Sequence, residues 1–173
     1  MKYQVICPYL CQFDNKLYPG GSCNLTSLGM CLEHYGKKVP GPYARISDNL
    51  LHYADQAGLD RHALPDIAKI SKHFGLGDNA GYTDTFEQIK QHLVGGNLVI
   101  VQGNFTASGH IIVVRGFDTV AGTFCCNDPA GNYFAPNHYS NPGWESGENV
   151  WYPSQWFREK AAPDGKVWAH LLG

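Results

Sequence analysis

The sequence predicts an α+β domain, with N-terminal helices packed on one side of a C-terminal antiparallel β-sheet. Three observations predict it. Apolar residues recur at three- and four-residue spacing in four successive segments, each followed by a glycine; β-branched and aromatic runs separated by Gly, Asn and Ser take over after Gly96; and no repeat, linker or low-complexity tract divides the 173 residues. A chain of this length supports one full hydrophobic core and is too short for two ordinary domains, so residues 1–173 read as a single domain.

The elements follow in order. Tyr3, Val5 and Cys7 alternate in the first ten residues and suggest a short entering strand. The stretch C-Q-F-D-N-K-L-Y-P-G-G-S is dense in turn formers and reads as a loop. From Cys23 to Tyr35, Leu25, Leu28, Leu32 and Tyr35 mark one helix face, with Ser22 or a neighbour as its N-cap and Gly36 after its end. Residues 43–57 carry Ile46, Leu50, Tyr53, Ala54 and Ala57 before Gly58, and residues 65–74 begin with a proline suited to a first helical turn and carry Ile67, Ile70 and Phe74. In T-F-E-Q-I-K-Q-H-L, Thr85 and Gln88 have the spacing of a capping box. Beyond Gly96, N-L-V-I-V-Q-G, H-I-I-V-V-R-G-F-D and G-T-F-C-C-N-D read as adjacent antiparallel strands, E-N-V-W-Y-P and K-V-W-A-H-L-L as closing strands, and S-Q-W-F-R-E-K as a short helix between them.

Composition narrows the function classes. A formal net charge of −2 with no Lys/Arg cluster argues against nucleic-acid binding, which needs clustered positive charge to neutralise phosphates. No signal-peptide pattern opens the chain and no run reaches the roughly eighteen apolar residues of a membrane span, so the expectation is a cytoplasmic chain as synthesised, without a membrane partner. Six cysteines are too sparse here for a disulfide scaffold, and most are expected to be reduced; Cys7 and Cys11, flanking Pro8, are the pair that could bridge in an oxidising compartment. With no C-x-x-C pair, no H-E-x-x-H and eight scattered histidines, neither a metal nor a cofactor is expected.

One cysteine stands out. Cys23 opens the first helix, where orphan backbone N–H groups and the positive end of the macrodipole favour thiolate over thiol. A nucleophile needs a base, and His110 sits where T-A-S-G passes into the strand I-I-V-V, at a strand edge that can face a cleft. From His110 one strand, a turn and a return strand lead to Asp128, so an antiparallel pair would bring that carboxylate back beside the imidazole. Gln12, in the loop ahead of Cys23, could donate its amide to an oxyanion alongside the Cys23 N–H. Cys31 falls on the face of Leu28 and Leu32 and reads as core; Cys125 and Cys126 sit in a strand, one expected to face in and one out. Asn24, Asp14 and Trp144 are candidate substrate-binding residues, although Asp14 could instead form a local Asx-turn and Trp144 could pack in the core.

The blocks Q-F-D-N at 12–15, G-S-C-N-L-T-S-L-G-M-C-L at 21–32, G-H-I-I-V-V-R-G-F-D at 109–118 and C-N-D-P-A-G-N-Y at 126–133 resemble the C39-like family of papain-fold cysteine peptidases over most of the chain. The resemblance implies a papain-like fold, Cys23 as nucleophile, His110 as general base and acid, Asp128 orienting His110, and Gln12 in the oxyanion hole. Many relatives carry Gly-Cys-Gly-Pro where this chain has Ser-Cys-Asn-Leu, and a P-G-G turn lies between Gln12 and Cys23. Bacteriocin-processing members are fused to a transporter that is not seen here, so cleavage of double-glycine leaders is not carried over. The expected substrate is a peptide or a peptidoglycan-type stem. The same residues would also serve a lysin-like endopeptidase or amidase or an acyltransferase, and a non-catalytic papain-like binding module is the reading of a different class.

Overall fold

Hydrophobic runs without polar alternation mark strands covered on both faces, and the centre of the sheet is built from two of them. In a computed structural model, which describes residues 1–136, 139 and 145–173, β3 (Leu98–Gly103) pairs antiparallel with β4 (His110–Asp118), and both are buried along nearly their whole length. Around them lie β1 (Lys2–Gln4), β2 (Asp78–Asp84), β5 (Thr123–Asn127), β6 (Val150–Pro153) and β7 (Val167–Leu172), every pairing antiparallel. The strand order is β2-β7-β3-β4-β5-β6, and β1 pairs with the far half of β4, Lys2 opposite Asp118.

Five α-helices are described: α1 (Cys23–His34), α2 (Ile46–Ala57), α3 (Leu64–His73), α4 (Phe86–Val94) and α5 (Ser154–Ala161). The capping box expected at Thr85 is formed, with Gln88 N–H donating to Thr85 Oγ1 and Thr85 N–H to Gln88 Oε1. α1 leans on β4 and is flanked by α2 and α3, while Phe86 of α4 and Phe157 of α5 meet Phe124 of β5, with ring centroids 5.0–5.9 Å apart. Helices therefore cover both faces of the sheet, not one as the sequence suggested. That is why β3 and β4 show continuous runs instead of alternation.

Other expectations are corrected by side-chain chemistry. α2 begins at Ile46, not 43, because residues 39–43 wrap around Asn49, whose amide bonds Val39 O, Tyr43 O and Tyr43 N–H. Strand β2, D-N-A-G-Y-T-D, is polar, contains a glycine and lies at the sheet edge, so nothing in its pattern signals a strand; it is held by pairing with β7 and by a buried Asp78–His170 contact of 2.9 Å. Two 3-10 turns, Gln12–Asp14 and Pro19–Gly21, stand in the loop before α1. All six cysteines are free. Cys31 is core, as expected, but Cys125 and Cys126 are both fully buried, because Gln4 and Asn149 close over the Cys125 thiol.

Candidate active site

Loop residues before α1 are locked onto the helix start by polar groups that leave Cys23 at its first position. Buried Asn15 donates to Ser22 Oγ and Thr26 Oγ1, each at 2.8 Å, and accepts from Arg45 Nε at 3.1 Å. Ser22 precedes the helix as expected, but its hydroxyl is held by Asn15 and makes no capping bond. One turn into α1, Ser27 Oγ donates to Ile111 O at 3.1 Å, which fixes the helix against the residue following His110. Gly109, in the left-handed region at φ 83°, turns the chain into β4 so that His110 is its first residue.

The β4–β5 hairpin returns the chain as the sequence suggested. His110 Nε2 lies 2.8 Å from Asp128 Oδ1, both side chains being buried. The remaining ring nitrogen, Nδ1, is the one left for Cys23, which lines the same cleft. Burial pushes the Cys23 thiol up, but the His110 hydrogen bond and charge, with backbone N–H groups at Ile111 and Asn24, outweigh it and bring the thiol below its ordinary value. Burial alone would lower His110; the Asp128 carboxylate and the Cys23 sulfur overcome that and raise it to about 10. A thiolate at Cys23 and an imidazolium at His110 would each favour the other's charge.

Asp128 Oδ1 also accepts the Ala130 N–H at 3.0 Å, and Oδ2 accepts the Tyr139 and Tyr152 hydroxyls at 2.7 and 2.8 Å. Its backbone is held too: Asp128 N–H donates to Gly147 O, and Tyr9 Oη donates to Asp128 O while accepting from the Gly147 N–H. A Cβ at residue 147 would collide with the Asp128 carbonyl, so glycine is required there. Tyr9, Tyr139, Tyr152, Ser27 and Gly147 carry no pattern in the sequence that marks them. Tyrosines in apolar runs or loops read as packing, and only the distant partner gives them their role.

Gln12 is buried, its N–H bonded to Pro129 O at 2.9 Å and its Nε2 donating to Pro19 O at 2.8 Å. The P-G-G turn is thus what holds this amide. An amide nitrogen has two hydrogens, so one remains beyond the Pro19 bond.

Cys23, His110 and Gln12 share a cleft of about 510 Å³ that is also lined by Gly20, Gly21, Gln102 and Tyr139. A Cβ at Gly20 would meet nothing within 4 Å, so the cleft wall is open at that residue. Asn24 lines the cleft, but its amide is engaged in donating to Arg61 O at 2.8 Å and accepting from Leu25 N–H. Asp14 is not among the cleft residues: its exposed carboxylate faces Arg45 at 3.7 Å, because the 3-10 turn that buries Gln12 directs Asp14 outward. Trp144 lies outside the described residues. Among those described, no three His, Cys, Asp or Glu side chains are grouped to hold a metal, and no helix is long and apolar enough to cross a membrane.

A model of the Peptidase_C39 like family matches residues 6–155. Among solved structures, a double glycine motif protease from an AMS/PCAT transporter, in complex with its leader peptide, is similar at a TM-score of 0.61 and 18% identity, over 99% of this chain and 97% of that one. A putative C39-like peptidase from Bacillus anthracis is similar at a TM-score of 0.66 and 15% identity, over 98% and 97% of the two chains. The comparison with curated proteins finds no match.

Proposed function

The chain belongs to the C39-like peptidase family, and from that premise we propose that it is a cysteine peptidase that cleaves a peptide bond with Cys23, His110, Asp128 and Gln12. The observation that carries the reading is that Cys23 and His110 line one cleft at the N-terminus of α1, with His110 hydrogen-bonded to the buried Asp128.

The steps follow from the donors at hand. The Cys23 thiolate attacks the carbonyl carbon, forming a C–S bond and moving the carbonyl electron pair onto oxygen. That oxyanion is received by the second Gln12 Nε2 hydrogen and by the Cys23 N–H, which as the first of its helix has no intrahelical acceptor. His110 passes its Nδ1 proton to the leaving nitrogen as the C–N bond breaks, giving an acyl-enzyme and a free amine. Neutral His110 then takes a proton from water, whose oxygen attacks the thioester carbonyl; the acid leaves, and the thiolate–imidazolium pair returns. Throughout, Asp128 holds Nε2 and fixes which ring nitrogen faces the sulfur.

Substrate class is read by offering the protein a mixed peptide library and, separately, purified peptidoglycan, with products identified by mass spectrometry. Peptide cleavage by the wild type, absent in Cys23→Ala, is expected. Failure to cut either material faster than Cys23→Ala contradicts the reading.

A further inference from the structure

Asp128 has no exposure to solvent, yet all of its acceptor capacity is used. A carboxylate offers about four lone-pair sites. His110 Nε2 and the Ala130 N–H fill those of Oδ1, and the hydroxyls of Tyr139 and Tyr152 fill those of Oδ2. The phenols approach from different elements. Tyr152 belongs to β6, is fully buried, and its oxygen accepts the Tyr133 N–H at 3.1 Å, which turns its own proton toward Asp128. Tyr139 comes from the cleft wall and lays its ring 5.1 Å from that of His110.

We propose that Tyr139 and Tyr152 are positioning residues for the Cys23–His110 pair: their hydroxyls pin Oδ2 and aim Oδ1 at His110. This rests on the peptidase reading and deepens it. An ionised carboxylate taken out of water is costly unless donors replace its hydration. With one phenol removed, Oδ2 is held from one side less, Asp128 turns away from His110, and His110 loses the anion that favours its imidazolium. Cys23 then loses the cation that lowers it, and the thiol rises. Burial and the Asp128 charge hold both phenols far above their ordinary values, so they remain neutral donors across the working range.

The test is the pH dependence of Cys23 alkylation by iodoacetamide in the wild type, Tyr139→Phe, Tyr152→Phe and the double variant, read on the Cys23 peptide by mass spectrometry with circular dichroism as the control for folding. Each single variant is expected to move the reactive midpoint upward by about one pH unit, so that alkylation below the wild-type midpoint slows about tenfold. A purely structural role for the rings would lower stability without moving this profile. Folded variants that keep the wild-type profile overturn the proposal, and Tyr139→Phe, on the cleft wall, decides it if Tyr152→Phe does not fold. A wild-type protein lacking enhanced reactivity below neutral pH would overturn the peptidase reading and this proposal together; a reactive wild type with unshifted variants overturns this proposal alone.

Discussion

Gln12 turns on a single hydrogen atom. Its Nε2 gives one hydrogen to Pro19 O, and its Oε1 is buried without a hydrogen-bond partner among the described residues. Exchanging the amide oxygen and nitrogen would set two oxygens against each other, so the nitrogen is fixed toward Pro19 and its second hydrogen is the one left to donate. Gln12→Ala is predicted to lower kcat by about a hundredfold while changing KM much less, since removal of one oxyanion donor is felt mainly in the transition state; steady-state kinetics on a cleaved peptide checks it. The places of Cys23 at a helix start, His110 at a strand start and Asp128 after the return strand were legible in the sequence, because each is an element boundary that can be read locally. Asp14 and the tyrosines were not. Whether a side chain in a 3-10 turn points into a cleft or toward Arg45 depends on a packing partner distant in the chain.

At the level of elements, two contacts hold Cys23, His110 and Asp128 in relation to one another. The β4–β5 hairpin delivers Asp128 to His110, and Ser27 ties α1 to the Ile111 carbonyl across the helix–sheet interface. Ser27 is fully buried, so Ser27→Ala leaves that contact unmade; a loss of about 1–2 kcal/mol is expected, measured by urea unfolding, together with a lower kcat as α1 loosens from β4. The helices and the hydrophobic strands were readable because period and composition agree. β2 was not, since an edge strand needs no apolar face of its own: its hold comes from the register with β7 and from Asp78 against His170. The two-sided covering of the sheet was also hidden, because a fully apolar strand run does not say which helices cover each face.

For the molecule as a whole, the order of strands in space departs from their order in sequence in a way that ties the ends together. β7, the last strand, lies between β2 and β3, and β1, the first, lies beside β4. At the end of α1, the Tyr35 hydroxyl donates to Leu172 O and accepts the Leu98 N–H, joining the helical half to both strands. No segment of the described chain has a core of its own under this topology. Calorimetry is therefore predicted to give one transition with equal calorimetric and van't Hoff enthalpies; two resolved transitions would contradict a single unit. From sequence, one domain followed from length and the absence of a linker, but the interleaving of first and last strands depends on pairings that no local pattern encodes.

The central claim is that His110 makes Cys23 a thiolate. The sign follows from the two shifts. Cys23 is depressed, so its thiolate persists as pH falls below the ordinary thiol range of about 8.5; His110 is raised to about 10, so its imidazolium persists through neutrality and is lost only on the alkaline side. The most direct measurement is the iodoacetamide alkylation rate of Cys23 against pH in the wild type and in His110→Ala. The account predicts rapid alkylation below neutral pH in the wild type, with the midpoint returning to the ordinary thiol range in His110→Ala. Coinciding profiles, both with an ordinary thiol midpoint, would contradict it and leave a papain-like module that binds without cutting.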